Sequence, residues 1–153
     1  MKRKLEINPN RGLMNYQINN YLKNVKSFRG TFPLNKIPKF KTFPSSVIVN
    51  SQTDEYPGAH WLAVYINEKK QIFYFDSFGL GIIEYKIHKS LSRYNNKYVY
   101  NKVCIQDVSS ISCGLYCIAF IKKCTSETSF NNFINKFSNV NLLTNENIVL
   151  KMI

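Results

Sequence analysis

Residues 60–79 read HWLAVYINEKKQIFYFDSFG and contain the clearest local structural signal of the chain. Residues 60–66 and 71–77 are rich in aromatic and branched apolar side chains, which favours strands. The polar residues 67–70 between them favour a turn. The stretch therefore predicts a β-hairpin.

The two far ends of this hairpin carry His60 and Asp76. If Ile66 pairs with Lys70 across the turn, His60 pairs directly with Asp76, and their Cβ atoms lie about 4.5–5.5 Å apart on one face of the sheet. A carboxylate so placed can hold one imidazole nitrogen. If Ile66 pairs with Gln71 instead, the two side chains point to opposite faces. The alternative interpretation is a strand-end histidine and a turn aspartate with no shared role.

Helical and extended patterns alternate around the hairpin. We expect strands at 45–50 and 97–106, an extended loop at 28–44, and helices at 12–22, 79–96, 113–124, 129–138 and 144–153. The predicted core contacts of the first two helices are Leu13, Tyr16, Ile18, Leu22, Ile83, Ile87, Leu91 and Tyr94. This order predicts an α+β fold in a single domain, 1–153, with a mixed, mainly antiparallel central sheet flanked by helices.

The composition is typical of a folded protein. Of the 153 residues, 44% are hydrophobic and 14% aromatic, which supplies enough apolar material for a core and argues against disorder. No apolar run approaches the roughly 18 residues of a membrane span. No apolar signal segment follows the basic start of the chain. We therefore expect a soluble, unsecreted protein with no membrane partner.

The chain is strongly basic. It has 21 Lys and Arg against 9 Asp and Glu, a formal net charge of +12. Such an excess favours polyanionic partners, including DNA bound without sequence preference. The candidate phosphate contacts are Lys36, Lys39, Lys41, Lys122 and Lys123. The alternative is a solvated surface whose lysines reflect a biased composition.

The cysteines indicate thiols rather than disulfides or a metal site. They are Cys104, Cys113, Cys117 and Cys124. Without a secretory signal we expect them to be reduced. Cys113 and Cys117 are one helical turn apart, but no second pair has ligand spacing and the two histidines are distant in sequence, so we predict no metal.

Cys113 begins the apolar run CGLYCIAFIKKC and is followed by Gly114. A thiol at a helix N-terminus feels the positive end of the macrodipole, which favours the thiolate. Gln106, at the end of the preceding predicted strand, can offer its side-chain amide to a developing oxyanion. A buried structural thiol is the alternative, and it is the interpretation that suits the settings of Cys104, Cys117 and Cys124.

The segments HWLAVYI and FYFDSFG, followed by Gln-x6-CGLYC, together resemble the adenovirus-type cysteine proteases, the adenain family. That family belongs to the larger group of SUMO- and ubiquitin-like-specific proteases. The core of the resemblance spans residues 58–121. The six residues between Gln106 and Cys113 are typical of the adenain branch, and the compact chain resembles proteases of Polintons and virophages.

The resemblance implies an adenain-type fold and a cysteine endopeptidase with a His60, Asp76 and Cys113 triad and Gln106 in the oxyanion hole. Trp61 would wall a narrow channel for substrate glycines, with Gly114 beside the nucleophile. The implied substrates are viral or mobile-element precursor polypeptides cut at Gly-containing sites during virion maturation. The implied location is the virion or the host-cell interior, nucleus or cytoplasm.

The same resemblance implies a monomer that needs no cofactor for its chemistry, with DNA or a peptide as an activator. Three departures bear on it. Asp76 stands where the adenovirus enzymes have Glu, Asp107 stands where they have Gly, and their long C-terminal part has no counterpart here. The last departure puts a peptide-activator site in doubt.

Two other functions stay open at the level of sequence. A deubiquitinase or SUMO-type isopeptidase would use the same chemistry on a folded substrate. A non-catalytic, basic nucleic-acid-binding module would explain the charge, but it would not explain the ordered His, Asp, Gln and Cys.

Overall fold

The computed structural model describes residues 11–56 and 58–153, and within them the chain forms a five-stranded sheet and five α-helices. The strands are β1 (Phe28–Phe32), β2 (Ser45–Asn50), β3 (Trp61–Ile66), β4 (Ile72–Phe75) and β5 (Tyr98–Tyr100). The helices are α1 (Asn15–Leu22), α2 (Tyr85–Ser92), α3 (Cys113–Lys123), α4 (Glu127–Ile134) and α5 (Asn145–Met152), and a 3-10 turn at Leu142–Thr144 precedes α5. The predicted α+β class is therefore confirmed.

The strands lie in the sheet in chain order, β1-β2-β3-β4-β5. The two inner pairings are antiparallel and the two outer pairings are parallel, so the predicted mixed sheet is confirmed, with as many parallel as antiparallel strand pairings. The reason lies in the connections. A long loop separates β1 from β2 and α2 separates β4 from β5, and such crossovers bring the chain back in the same direction. The segment 28–44, predicted as an extended loop, supplies β1.

The predicted hairpin forms, but its turn is longer than the sequence suggested. Asn67 and Gln71 close it, with the Asn67 N–H donating to the Gln71 carbonyl at 3.1 Å. The Asn67 carboxamide oxygen accepts from the N–H groups of Lys69 and Gln71 at 3.0 and 2.8 Å. Lys70 has φ 60°, a left-handed conformation that favours glycine. No glycine marks this position in the sequence, so the five-residue connection between Ile66 and Ile72 could not be recognised.

The longer turn changes the pairing register. Ile66 lies opposite Ile72, not Lys70 or Gln71, so the prediction that His60 pairs directly with Asp76 was wrong. The shift from the first predicted register is two residues, which keeps every side chain on its predicted face. His60 immediately precedes β3 and Asp76 immediately follows β4, and diagonal neighbours of this kind remain within reach of each other.

Both faces of the sheet are covered. One face packs against α1, α3, α4 and α5, and the other packs against α2 and the loop at 33–44. This is why β3 is apolar at every position rather than at alternate ones.

Two predicted core residues are exposed. Tyr16 is 66% exposed because Ile18 and Leu22 form the buried stripe of α1, and residues two apart on a helix lie on opposite sides. Ile83 is 70% exposed because α2 begins only at Tyr85. The predicted strand at 97–106 also ends early, at Tyr100.

The lysines singled out by charge lie in two layers. Three are in the loop at 33–44, on the α2 face, and two are at the end of α3, on the opposite face. Lys36 is paired with Asp54 at 2.6 Å, and the Lys122 ammonium lies 4.5 Å from the centre of the Tyr21 ring. Within residues 11–56 and 58–153, no helix has both the length and the apolar character needed to cross a membrane.

Candidate active site

An ion pair joins the two ends of the hairpin. His60 Nε2 lies 2.8 Å from Asp76 Oδ1. The same carboxylate oxygen accepts the Phe78 N–H at 2.9 Å, and the Phe78 ring stacks on the imidazole with centroids 4.7 Å apart. Because Nε2 is engaged by the carboxylate, the Nδ1 side of the ring is left for other groups.

The turn that carries Asp76 is held by Asn101, a residue that sequence reasoning missed. The Asn101 carboxamide accepts the Asp76 N–H at 3.1 Å and donates to the Asp76 carbonyl, and its side chain is buried. The only hint in the sequence is an asparagine next to a short aromatic strand, which carries little information by itself.

Gly79 completes this turn. Its φ of +73° is left-handed, and a Cβ atom there would lie 2.4 Å from the carbonyl carbon of Val103. The Gly79 N–H donates to the Asp76 carbonyl at 2.8 Å. The glycine of the FDSFG segment is therefore required by the backbone path beside the carboxylate.

Cys113 is the first residue of α3 and is buried against the imidazole. Burial lowers the pKa of His60, but hydrogen bonding to Asp76 and Cys113 and the negative charge of both groups outweigh it and raise that pKa to about 9. At neutral pH the ring therefore carries a proton, and it lies beside the thiol of Cys113. The arrangement can supply a nucleophile and a proton donor side by side.

Gln106 is almost fully buried, and its carboxamide has a fixed orientation. Its Oε1 accepts from the Ser77 hydroxyl at 2.5 Å, so its NH2 group faces the other way. That group donates to the Ser110 carbonyl at 3.0 Å and lies 3.5 Å from Ser110 Oγ. The second contact is too long to be a good hydrogen bond, which leaves one amide proton for a ligand.

These groups meet in a cleft of about 850 Å³. His60, Trp61, Phe78, Gln106 and Cys113 line it, together with residues of the segments 11–15, 31–33, 50–56, 58–59 and 106–111. Exposed apolar side chains stand on its rim: Tyr56, Val108 and Ile111. A cleft of this size with apolar walls and a few convergent polar groups is typical of a substrate site.

Trp61 and Gly114 have different surroundings. The Trp61 indole N–H donates to the Leu13 carbonyl at 2.9 Å, which fixes the ring in the cleft wall. Gly114 is packed beneath it, where a Cβ would lie 3.1 Å from the Leu13 side chain and 3.4 Å from Trp61. The described cleft-lining residues do not include Gly114, so its predicted contact with substrate stays a prediction.

Two of the other cysteines, Cys117 and Cys124, lie in settings that oppose a thiolate. Burial raises the pKa of Cys117 strongly and the pKa of Cys124 to about 12. Cys104 is half-buried and donates to the Gln106 carbonyl at 3.2 Å. The four cysteines are all free thiols, and no three His, Cys, Asp or Glu side chains of the described ranges are grouped as metal ligands would be.

No family model matches this chain, and no curated protein matches its sequence. The geometry of the site is therefore the main evidence for its chemistry.

Proposed function

We propose that this protein is a cysteine endopeptidase with Cys113 as nucleophile and His60 as general base and acid. The observation that carries the proposal is the convergence of three groups at one cleft. These are an imidazole held by a carboxylate, a thiol at a helix start, and an oriented side-chain amide. Each occurs alone in many proteins, but together they have the roles of a catalytic triad and an oxyanion donor.

The reaction begins from the thiolate–imidazolium pair. Cys113 Sγ attacks the scissile carbonyl carbon, a C–S bond forms, and the carbonyl oxygen becomes an oxyanion. The Gln106 amide and the Cys113 backbone N–H donate to that oxygen, and removing one such donor costs about 3–4 kcal/mol in related reactions. His60 then protonates the leaving nitrogen as the C–N bond breaks. Water, deprotonated by His60, hydrolyses the thioester and restores the thiolate.

Asp76 acts through His60. It holds Nε2, so that the opposite side of the ring faces the thiol, and its charge stabilises the imidazolium. Phe78 covers one face of the ring and limits its rotation.

The proposed substrates are viral or mobile-element precursor polypeptides with glycine at the cleavage site, and the proposed setting is virion maturation. The resemblance to adenain-type proteases suggests this class. The Trp61 indole, fixed by its hydrogen bond to the Leu13 carbonyl, supports it, because this bulky ring and Cys113 line the same cleft. Residues without a side chain fit best beside a wall of this kind.

The test is cleavage of a panel of fluorogenic Gly-Gly peptides together with labelling by a peptide vinyl sulfone. We expect turnover and stoichiometric labelling at Cys113, located by mass spectrometry of the digested protein. A Cys124→Ala variant is the matched control, because it removes a thiol from the opposite end of the same helix. Absence of turnover with every peptide, or labelling at another cysteine, would contradict the proposal.

A further inference from the structure

We infer that Glu146, in the C-terminal helix α5, is a positioning residue for the oxyanion donor Gln106 and acts through Ser110; this inference rests on the proposed function. Glu146 Oε1 accepts the Ser110 hydroxyl at 2.6 Å. Ser110 in turn accepts the Gln106 amide through its carbonyl at 3.0 Å. A carboxylate forty residues from Gln106 in sequence is thus two hydrogen bonds from the amide that would stabilise the oxyanion.

The Ser110 hydroxyl also reaches the start of the nucleophile helix. It accepts the Ser112 N–H at 3.1 Å, and Ser112 is the N-cap residue immediately before Cys113. Ser110 therefore links the carboxylate of Glu146 to both ends of the loop at 107–112, since its hydroxyl reaches Ser112 and its carbonyl reaches Gln106. A hydrogen bond to a charged acceptor is stronger than a neutral one, so the carboxylate fixes the rotamer of Ser110.

Asn145, which precedes Glu146 in α5, binds the chain on the N-terminal side of Gln106. Asn145 is fully buried, and its carboxamide donates to the Ile105 carbonyl at 2.8 Å and to the Ser138 carbonyl at 2.7 Å. The first turn of α5 consequently binds the chain immediately before Gln106 and again at Ser110. Gln106 lies between two points that the C-terminal helix holds.

Glu146 has one further partner. The Tyr116 hydroxyl lies 3.4 Å from the same Oε1 atom, and burial together with the Glu146 charge raises the Tyr116 pKa. This contact is long for a hydrogen bond, so we attribute the positioning effect to the shorter hydrogen bond between Glu146 and Ser110.

Steady-state kinetics on a cleaved peptide tests this inference. We expect Glu146→Ala to lower kcat roughly 10- to 100-fold, a part of what a lost oxyanion donor costs, with KM changed less than roughly two-fold. Glu146→Gln keeps an oxygen acceptor and should recover most of kcat. Tyr116→Phe, which removes the long contact, and Asn147→Ala, an exposed change on the same helix, should behave like wild type.

Two further measurements separate positioning from a general loss of structure. The rate of Cys113 alkylation by iodoacetamide needs no oxyanion donor, so Glu146→Ala should leave it unchanged. In a double-mutant cycle, Glu146→Ala should lower kcat no further once Ser110→Ala is present, because Glu146 acts on Gln106 through the Ser110 hydroxyl. Ser110→Ala also serves as the second variant if Glu146→Ala does not fold.

The outcomes distinguish the two proposals. An active wild type with unchanged kcat in Glu146→Ala, additive losses in the double variant, or a parallel fall in the alkylation rate would overturn the positioning role alone. A wild type that cleaves no peptide would overturn the proposed function and the positioning role with it.

Discussion

The two walls of the cleft hold their chemical groups in different ways. His60 and Asp76 lie at the ends of adjacent strands, and the sheet fixes the backbone next to each of them. Gln106 and Cys113 flank the irregular loop at 107–112, which is anchored by the hairpin exit and by the C-terminal helix. The first wall is built from one local motif, whereas the second depends on contacts between parts of the chain that are far apart.

Tolerance to substitution should therefore differ between the two walls. A change in the hairpin wall acts on the proton-transfer group directly. A change in the supports of the loop wall acts on geometry and should be graded.

Cys113→Ala should abolish peptide cleavage, lowering kcat by at least roughly four orders of magnitude, because it removes the nucleophile. Thermal unfolding followed by circular dichroism should change little, since one sulfur atom is lost at the cleft edge. The comparison is with Cys124→Ala at the other end of α3, where burial raises the thiol pKa to about 12 and turnover should persist. Substantial cleavage by Cys113→Ala would eliminate Cys113 as the nucleophile.

Asp76→Asn should lower kcat by roughly three to four orders of magnitude, because the amide keeps the shape but loses the charge that stabilises the imidazolium. Asp76→Glu should keep part of the activity. Asp107→Asn should remain within a few-fold of wild type, because this half-buried residue lies on the other wall and its carboxylate binds Ser109 of its own loop. Wild-type kinetics in Asp76→Asn would mean that the 2.8 Å ion pair has no catalytic role.

The hairpin wall was largely predictable from the sequence because its information is local. Apolar runs on either side of a polar turn determine two strands, and both ends carry polar residues that strands of this kind do not need. The predicted register was wrong because Lys70 occupies the left-handed position of the turn, where glycine is the usual signal. A shift of two residues preserved the faces, so His60 and Asp76 still meet.

The loop wall was predictable only in part. The apolar run after Cys113 identified α3, and the spacing to Gln106 suggested an oxyanion donor. No local sequence pattern indicates that Asn145 binds Ile105 and that Glu146 binds Ser110, because these contacts join residues about 40 apart in sequence. Long-range polar pairs of this kind depend on tertiary packing, which periodicity does not contain.

Asn101→Ala should cost about 1–3 kcal/mol in the free energy of unfolding, because it leaves the Asp76 N–H without its partner and removes one of the two hydrogen bonds that the Asp76 carbonyl accepts. It should also lower kcat/KM roughly ten-fold as the carboxylate loses its fixed position. Asn95→Ala, an exposed asparagine before β5, is the matched control and should change neither quantity appreciably. Urea unfolding and peptide kinetics measure the two effects, and a variant as stable and active as wild type would show that the sheet alone positions Asp76.

The smallest effect concerns pH. Because the pKa of His60 is raised from its ordinary 6.5 to about 9 in the folded protein, the imidazolium stabilises the native state. That contribution is fully present below pH 6.5 and is lost as pH rises through about 9. Urea unfolding at a series of pH values should therefore give a decline between pH 6.5 and 9 that His60→Gln lacks and that His88→Gln, an exposed histidine on α2, retains. A smaller decline of the unfolding free energy in Cys113→Ala than in wild type would identify the part of the effect that comes from Cys113. Equal pH dependence of the unfolding free energy in wild type and His60→Gln would mean that the imidazolium does not stabilise this wall of the cleft.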